Sequence, residues 1–347
     1  MKRDIKSLRL SELNEHFIST GEQSFRAKQV FSWLHTGVKS FTEMTNLPKK
    51  LREKLDSEFF ISFPGLLEKQ ISSKDSTIKY LLHVLDNDTV ECVLMKYSYG
   101  NTICISTQIG CRMGCTFCAS SIDGFKRNLS ASEMLDQVLF VQQDSGVRVS
   151  NVVLMGIGEP LDNFDNIMNF IGLLNRPEGI NIGARHITIS TCGIVENIDR
   201  LAEYDVQLTL AISLHAPDDE TRSKLIPINR EAGVELLFEA ADRYFAKTGR
   251  RVTYEYAMID NVNDTVFHAN LLSTRLKGTS SHLNLILLNN VQERSFKAST
   301  KESIDKFIEI LKRSGVNYTI RRSLGADIEA SCGQLRRRIM HSSNTEI

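Results

Sequence analysis

Gly110-Cys111-Arg112-Met113-Gly114-Cys115-Thr116-Phe117-Cys118 carries three cysteines on one short segment, in the spacing C-x3-C-x2-C. The segment follows directly after residues 102–106, an apolar and β-branched run that predicts a strand. The chain has seven cysteines, an odd number that does not suggest a disulfide framework. Thiols grouped this closely are then typical of metal ligation. We therefore expect a metal-binding loop where the first strand of a sheet ends.

The kind of metal site follows from the number of thiols. Three thiolates can bind three irons of a [4Fe-4S] cubane and leave the fourth iron without a protein ligand, whereas electron-transfer clusters usually have four cysteines. That open iron can chelate the amino and carboxylate groups of S-adenosylmethionine (SAM). The alternatives are a zinc site, which usually needs a fourth Cys or His, and three buried core thiols. The spacing and the aromatic Phe117 before the last cysteine are typical of radical SAM enzymes, which predicts one cluster per chain on Cys111, Cys115 and Cys118.

Strand and helix patterns alternate from about residue 101 onward. The predicted strands are residues 102–106, 151–155, 186–191, 206–213, 252–259 and 282–288, with a further strand at 316–321. The predicted helices between them are residues 132–142, 164–174, 194–202, 234–245 and 265–276. Ser130 and Ser299 are each followed three residues later by Glu, which predicts capping boxes at helix starts. Six successive βα units predict an α/β fold with an open, partial (βα)6 barrel, whose ligands lie at the carboxyl ends of the strands.

The part of the chain before this barrel has a different pattern. Residues 1–60 show helical apolar spacing at 25–34, and Pro48 is expected just inside a second helix, so we predict a helical accessory domain. Residues 61–100 contain two strand patterns around an Asp86-Asn87-Asp88 turn, which predicts a β-hairpin linker.

The remainder divides into two parts. We assign residues 101–335 to the partial barrel with a C-terminal extension that carries Cys332. Residues 336–347 begin with three arginines and form a basic tail.

Composition narrows the class of protein. The chain is 41% hydrophobic and 24% charged, which is enough for a large core. Charges interrupt the first residues, so they do not resemble a signal peptide, and no apolar run approaches the roughly 18 residues of a membrane span. We expect a cytoplasmic protein without a membrane partner. Because 42 Lys and Arg balance 42 Asp and Glu, net charge gives no sign of nucleic-acid binding.

Polar groups follow several of the predicted strands. Met155-Gly156-Ile157-Gly158-Glu159-Pro160 ends the second strand and can bring bare backbone and a carboxylate close to a ligand. Ser190 ends the third strand, and Ser213-Leu214-His215 ends the fourth. Taken singly, each of these is more often a capping or satisfied structural group. Together they favour a binding site on the same rim as the cysteines.

At this point the chain resembles the RlmN/Cfr family of radical SAM RNA adenine methyltransferases, and the RlmN branch more than the Cfr branch. The resemblance covers nearly the whole chain. It rests on the following ordered segments: residues 104–111, 124–129, 155–161, 189–193, 223–229 and 327–335. Agreement over so many separated motifs is not a chance match.

The resemblance implies an activity and its residues. It implies methylation of carbon 2 of adenine, at position 2503 of 23S rRNA in the peptidyl transferase centre and at position 37 of tRNA, with two SAM molecules per turnover. Cys332 is expected to carry the methyl group as S-methylcysteine, Glu91 to accept a proton, and Cys104 to attack the sulfur of Cys332, forming a transient disulfide. From the residues alone, core packing is the more common role for a strand cysteine such as Cys104, and an exposed strand carboxylate is the preferred interpretation of Glu91.

The resemblance also implies the SAM contacts. They are expected at Gly158, Glu159, Ser190, Ser213, Leu214, His215 and Asn289. Two departures affect this site: Leu287 and Asn290 stand where the family usually has prolines around Asn289, and Ser331 replaces the usual alanine beside Cys332.

The implied partners are 23S rRNA, tRNA and an electron donor such as flavodoxin or ferredoxin, and we expect a monomer. Candidate phosphate-contacting cations lie in the accessory domain and near the C-terminus: Arg26, Lys28, Lys49, Lys50, Arg52, Arg321, Arg322, Arg336, Arg337 and Arg338. Charge runs are more often solvated faces. Three other functions stay open at this point: methylation of adenine carbon 8, activation of a glycyl-radical protein, and a structural zinc or iron-sulfur module.

Overall fold

A ten-stranded sheet forms the centre of the molecule, in a computed structural model that describes residues 2–289, 291, 293–322, 324–328 and 330. The described strands are β1 (Arg3–Asp4), β2 (Phe59–Phe60), β3 (Gly65–Ile71), β4 (Ile78–His83), β5 (Thr89–Tyr97), β6 (Gly100–Cys104), β7 (Gln108–Gly110), β8 (Phe125–Asn128), β9 (Asn151–Leu154), β10 (Ile187–Thr191), β11 (Thr209–Ser213), β12 (Val252–Met258), β13 (His282–Leu287) and β14 (Tyr318–Ile320). The described α-helices are α1 (Leu10–Ser19), α2 (Phe25–Leu34), α3 (Lys49–Glu58), α4 (Ala131–Ser145), α5 (Phe164–Leu174), α6 (Val195–Ala202), α7 (Asp219–Leu225), α8 (Asn229–Thr248), α9 (Val266–Leu276) and α10 (Lys301–Arg313).

The strand order explains the shape of the sheet. It is β14-β13-β12-β11-β10-β9-β6-β5-β4-β3, and the strands from β6 to β14 in this order are parallel, with helices in each connection. The first and last strands do not pair in the described chain, so the barrel stays open. The predicted partial (βα)6 barrel is confirmed. Its carboxyl ends form one rim, as parallel strands require.

Helix starts follow from local capping. Ser130 caps α4, and Glu133 completes the predicted capping box by accepting from the Ser130 backbone N–H. The prediction for Ser299 is wrong, because Thr300 caps α10 and accepts from the backbone N–H of Ser303 at 3.1 Å. Pro48 is likewise the N-cap of α3 and not its first residue.

The segment before the barrel continues the same sheet. The predicted hairpin is present as β4 and β5, but β3 precedes it and was not predicted. Strand β5 then pairs antiparallel with β6, which pairs parallel with β9 on its other side. The hairpin is therefore a sheet extension that shares its backbone ladder with the barrel. Strand β3 is an edge strand with no buried residue, so its sequence lacks the alternation that marks a strand.

The N-terminal helices pack on the outside of the barrel. Helix α2 begins and ends where predicted, whereas α1 was not predicted. Lys6 forms a buried ion pair with Asp136 on α4, and the Ser62 hydroxyl donates to the same carboxylate at 2.6 Å. One apolar core runs from Ile5 through the barrel to Val316.

In the described part of the chain, none of the helices is long and apolar enough to cross a membrane.

Candidate active site

A cavity of about 520 Å³ opens at the carboxyl ends of the parallel strands, and we call it the active-site cavity. Most of the residues predicted for the site line it: Glu91, Cys104, Cys111, Cys115, Cys118, Gly158, Glu159, Ser190, Ser213, His215 and Asn289. Two predicted residues do not appear among these. Leu214 is fully buried beside the cavity, and Cys332 lies outside the described residues.

Backbone hydrogen bonds hold the three-cysteine loop, residues 111–118. The Cys111 backbone N–H donates to the Gly124 carbonyl at 3.1 Å, and the Thr116 N–H donates to the Leu225 carbonyl at 2.9 Å. Gly110, at φ +73°, allows this close approach, because a Cβ there would lie 1.8 Å from the Gly124 carbonyl oxygen. The cysteines are thus presented from a loop that is tied to two neighbouring segments.

The three thiols suit a cluster better than a single metal ion. Burial raises the pKa of Cys111 to about 12, and the neighbouring Cys118 thiol adds to the shift. Burial, Cys118 and Cys111 also raise the pKa of Cys115, so the three thiols are electrostatic neighbours. Among the described residues, no three His, Cys, Asp or Glu side chains are arranged to hold one metal ion. Thiols that each bind a different iron of a cubane do not need to converge on one point.

The turn after β9 depends on Gln108, a residue that the sequence analysis missed. Gly158 has φ +110°, and a Cβ there would lie 2.7 Å from the Cβ of Gln108. The Gln108 side chain accepts from the Glu159 backbone N–H at 2.9 Å and donates to Asp162 at 2.8 Å. Gln108 therefore positions the turn. Its polar type in a strand-like segment was the signal that could have identified it.

The Glu159 carboxylate is buried and accepts several hydrogen bonds. Its oxygens accept from the backbone N–H groups of Leu161 at 3.0 Å and Cys192 at 2.8 Å. Hydrogen bonds from the Thr191 and Cys192 side chains also act on it. Burial nevertheless raises the pKa of Glu159, because these hydrogen bonds only partly offset the cost of removing a charge from water.

The next two strand ends add polar groups. The Ser190 and Ser213 hydroxyls are 3.5 Å apart on β10 and β11. His215 Nδ1 accepts from the Ala257 backbone N–H at 2.9 Å, which leaves Nε2 as the protonated nitrogen. Burial, and then Arg222, lower the pKa of His215 to about 3, so the ring is neutral. The ring also makes an edge contact with Phe117 of the cysteine loop, with centroids 4.9 Å apart.

Arg222 on α7 ties the strand ends together and was also missed. Its guanidinium is fully buried and donates to the carbonyls of Cys192, Ser213 and Leu214 at 2.6, 3.0 and 3.0 Å, and to Asn229 at 2.7 Å. Burial lowers the pKa of Arg222 to about 10. The only advance signal was a single Arg beside one of the family-like segments, and periodicity does not reveal such a role.

Glu91 and Cys104 come together through strand pairing. Cys104 of β6 lies opposite Val93 of β5, two residues from Glu91. Glu91 is 4% exposed, so the alternative of an exposed strand carboxylate is wrong, and its side chain lies 3.6 Å from Lys79 Nζ. Cys104 is half-buried at the cavity wall. Lys79, which also lines the cavity, was not predicted.

Hydrogen bonds with the turn between β3 and β4 hold the last described residues near the cavity. The Asp327 carboxylate accepts from the Ser72 hydroxyl at 2.6 Å and from the Ser73 N–H at 2.9 Å, which lowers the pKa of Asp327 to about 2. The Gly325 N–H donates to Asp75 at 2.7 Å. Ala330 then lines the cavity. The turn between β3 and β4 therefore directs the chain toward the site.

Other predicted residues have structural contacts. Cys92 and Cys192 are buried, as expected for core thiols. Arg26 donates to Gln29 at 2.8 Å and Arg52 to the Thr42 carbonyl at 2.6 Å, so these two cations brace the N-terminal helices. Arg336, Arg337 and Arg338 lie outside the described residues.

A partial barrel with three cysteines on its first loop and a glycine turn after the next parallel strand defines a radical SAM enzyme. Residues 105–271 match the Radical SAM superfamily, and residues 3–61 match the Ribosomal RNA large subunit methyltransferase N-terminal domain. A radical SAM methyltransferase from Sphaerobacter thermophilus has a similar structure, with a TM-score of 0.90 at 40% identity, covering 96% of this chain and 98% of that chain.

Curated relatives are similar over the full length. The probable dual-specificity RNA methyltransferase RlmN of Clostridium tetani is 50% identical over 99% of this chain and 99% of its own. That of Lachnoclostridium phytofermentans is 51% identical over 97% of this chain and 95% of its own. The chain belongs to the RlmN family of radical SAM RNA methyltransferases. It is an enzyme that uses a [4Fe-4S] cluster and SAM, so an activase or a purely structural metal module is excluded.

Proposed function

We propose that the enzyme methylates carbon 2 of adenine in 23S rRNA and in tRNA, with Cys332 as the methyl carrier. One observation carries the proposal: Glu91, Cys104, the three loop cysteines and Ala330 line the same cavity. Cys332 is two residues beyond Ala330, and two residues of chain span at most about 7 Å. The relatives are named as probable dual-specificity RNA methyltransferases, which supports two RNA substrates.

Carbon 2 of adenine is electron-poor and has no lone pair, so it cannot take a methyl cation from SAM by displacement. Cys111, Cys115 and Cys118 would hold a [4Fe-4S] cluster, which would supply the alternative as one-electron chemistry: an electron for the reductive cleavage of SAM and an acceptor for the electron that the adduct loses.

The chain's own thiols and carboxylate carry the methyl group. Cys332 takes a methyl group from a first SAM and releases a proton. Abstraction of a hydrogen atom from that methyl group then leaves a methylene radical bonded to the Cys332 sulfur. That carbon adds to adenine carbon 2. The adduct loses one electron, and Glu91 accepts the proton from carbon 2.

Release of the product needs the second thiol. The Cys104 thiolate attacks the Cys332 sulfur, and the electron pair of the carbon-sulfur bond leaves with the methylene carbon, which takes up a proton to become methyl. The disulfide that forms is then reduced by a two-electron thiol reductant. Cys104 is suited to this step because it lies opposite Val93, which is two residues from Glu91 on β5.

The rim residues are proposed to hold SAM. Gly158 and Glu159 bind the methionine amino group, and the Ser190 and Ser213 hydroxyls bind polar groups of the ligand. The neutral His215 can donate from Nε2 without adding charge. Leu214 contributes backbone, and Asn289, which is exposed at the cavity edge, is proposed as a further contact.

The domain division drawn from the sequence pattern is part of the proposal. Residues 1–60 form an RNA-binding accessory domain, residues 61–100 the β-hairpin segment that extends the barrel sheet, residues 101–335 the barrel with its extension, and residues 336–347 a basic tail. A small electron-transfer protein such as flavodoxin or ferredoxin reduces the cluster. The enzyme acts as a monomer in the cytoplasm.

The decisive experiment compares Cys104→Ala with Cys332→Ala on labelled RNA. Without Cys104 the carbon-sulfur link forms but is not resolved, so a protein-RNA adduct that survives boiling should appear on denaturing gels. Cys332→Ala should give neither adduct nor product. Cys92→Ala is the matched control, because it removes a buried thiol of the cavity wall that has no proposed role, and it should form product without adduct. An active, adduct-free Cys104→Ala enzyme would contradict the mechanism. Mass spectrometry of the methylated adenine distinguishes carbon 2 from carbon 8.

A further inference from the structure

Two tyrosines lie at the mouth of the active-site cavity, Tyr97 at the end of β5 and Tyr99 in the turn before β6. Their rings are stacked, with centroids 4.9 Å apart and 11° between the planes. Tyr97 lines the cavity. Tyr99 is 71% exposed, the highest value among the large hydrophobic and aromatic side chains of the described chain. One ring is thus part of the wall, and the other presents a face to solvent.

Tyr97 fixes the position of this stack. Its hydroxyl donates to the Met95 sulfur at 3.6 Å, and burial raises the pKa of Tyr97. Alternate residues of a strand point to the same side, so Glu91, Val93, Met95 and Tyr97 form a row along β5, and all four line the cavity. The row leads from the proposed proton acceptor to the exposed ring of Tyr99.

Positive charge lies beside the stack. Arg321 and Arg322 line the same cavity and lie close enough to lower the pKa of Tyr97 against the effect of burial. Arg321 donates to the Met155 sulfur at 3.7 Å, which holds it against the wall. Arg322 is exposed and forms no salt bridge with a described residue. Its charge is available to an anionic ligand.

We propose that the Tyr97–Tyr99 stack binds a nucleobase adjacent to the target adenine, and that Arg322 binds the phosphate of that nucleotide. The proposal rests on the proposed function, which takes RNA as the substrate of this cavity, and it adds the contact that holds the neighbouring nucleotide. A base turned into a pocket leaves its neighbours unstacked at the entrance. An exposed aromatic face replaces the lost stacking whatever the base, and an arginine fork suits the phosphate.

Two other occupants fit parts of this surface. The chain beyond Ala330 could cover Tyr99, or an acidic electron-transfer protein could dock on the two arginines. RNA is favoured because the stack continues the wall on which Glu91 lies, so the substrate itself must pass it. The other two occupants become outcomes of the test.

The test measures the dissociation constant of a stem-loop RNA that contains the target adenine, using the holoenzyme. Tyr99→Ala should weaken binding roughly 5- to 10-fold, at the low end of base-aromatic stacking. Tyr99→Phe and Tyr99→Trp should bind within about twofold of wild type, since both keep a ring face. Phe267→Ala removes a 62% exposed ring on α9 and is the matched control, with no expected effect.

Salt dependence and a modified RNA separate stacking from charge. Arg322→Ala should reduce the slope of log Kd against log salt by roughly 0.7, the loss of one single-strand phosphate contact, whereas Tyr99→Ala should leave the slope unchanged. RNA with abasic sites flanking the target adenine offers no neighbouring base for stacking. Wild type should bind this RNA more weakly than the intact RNA, whereas Tyr99→Ala should show no further loss of affinity on it.

Three results would overturn the proposal. In the first, Tyr99→Ala changes RNA affinity no more than Phe267→Ala does. In the second, the loss of affinity in Tyr99→Ala persists in full on the abasic RNA. In the third, Tyr99→Ala binds RNA normally and is impaired only in reduction by flavodoxin. The second assigns the stack to the C-terminal segment, and the third to a protein partner. Failure of the proposed function appears differently, as wild-type enzyme that shows Tyr99-dependent RNA binding but forms no 2-methyladenine.

Discussion

Lys79 and Glu91 form an ion pair inside the protein, with Lys79 Nζ 3.6 Å from Glu91 Oε1 and exposures of 1% and 4%. They come from β4 and β5, which pair antiparallel, with Glu91 opposite Leu81. A buried charge is tolerated only with a partner, so each of these two residues depends on the other. Lys79 thereby positions the proposed proton acceptor.

Replacing Lys79 should therefore affect both stability and chemistry. Lys79→Met removes the buried cation beside the Glu91 carboxylate, and we expect a loss of about 3 to 5 kcal/mol in the free energy of unfolding. Lys79→Met with Glu91→Gln should recover most of that loss while methylation stays impaired. Lys49→Met is the control, because the Lys49–Glu53 pair is exposed and should contribute less than about 1 kcal/mol. Chemical denaturation and single-turnover methylation measure these effects. A Lys79→Met enzyme as stable as the control would disprove the expected coupling.

Gly158 and Gly172 provide a matched pair of glycines. Gly158→Ala places a Cβ 2.7 Å from the Gln108 Cβ at φ +110°, so the turn after β9 must move. We expect SAM affinity to fall about tenfold or more, measured by anaerobic calorimetry on the reconstituted enzyme. Gly172→Ala lies in α5 with nothing within 4 Å, and it should raise stability by up to about 1 kcal/mol without changing SAM affinity. Equal SAM affinities for the two variants would count against the turn as a SAM site.

His35 should make the packing of the N-terminal helices sensitive to acid. It stacks on Phe31 and accepts from the Ile180 N–H, and burial followed by Lys6 lowers the pKa of His35 to about 4. Between pH 6.5 and 4 the unfolded chain binds a proton at this histidine that the folded protein does not. The contribution of the neutral His35 to the free energy of unfolding is complete above about pH 6.5. It is lost as the pH falls, by roughly 2 kcal/mol at pH 5.

The pH dependence of unfolding for His35→Gln tests this directly. The variant should be less stable at pH 7.5 but should lose less stability between pH 7 and 5 than wild type does. His186, which is exposed and hydrogen-bonds to Asn151, serves as the control position. If the two wild-type and His35→Gln curves run parallel, the histidine is not the titrating group.

Arg222 should tolerate no replacement. Arg222→Met removes the hydrogen bonds to the carbonyls of Cys192, Ser213 and Leu214, and Arg222→Lys cannot make four directed hydrogen bonds. We expect losses above about 3 kcal/mol for Met and somewhat less for Lys, with a lower iron content after reconstitution. Arg243→Met removes an exposed pair with Asp199 and should cost about 0.5 kcal/mol. Normal iron content and stability in Arg222→Met would refute the role.

The sequence predicted features that are local in the chain and missed those that depend on distant pairing. Cys111 to Cys118 lie on one loop, and Gly158, Ser190 and Ser213 each follow a recognisable strand, so their common rim follows from parallel topology. The residues that were missed act through partners far away in the sequence: Lys79 pairs with Glu91, Gln108 with Asp162 and Arg222 with Cys192. No spacing rule connects residues that lie 12 or more positions apart.

Element boundaries show the same division. Helix α5 was predicted correctly from its apolar period, whereas α1 was missed because the first turns of the chain mix charged and apolar residues. Strand β3 was missed because its stability comes from the ladder with β4, and neither side chain face is buried.

The pair between Lys6 and Asp136 also bears on biosynthesis and inheritance. Residues 1–60 leave the ribosome before α4 exists, so their apolar faces and the Lys6 ammonium wait for a partner that is translated more than a hundred residues later. The nascent chain is therefore a natural client for a chaperone. For the same reason residues 1–60 cannot simply be exchanged between enzymes. A foreign segment without Lys6 would leave Asp136 without its cation, and burial already raises the pKa of Asp136 to about 6. The N-terminal helices and α4 must change together over evolutionary time.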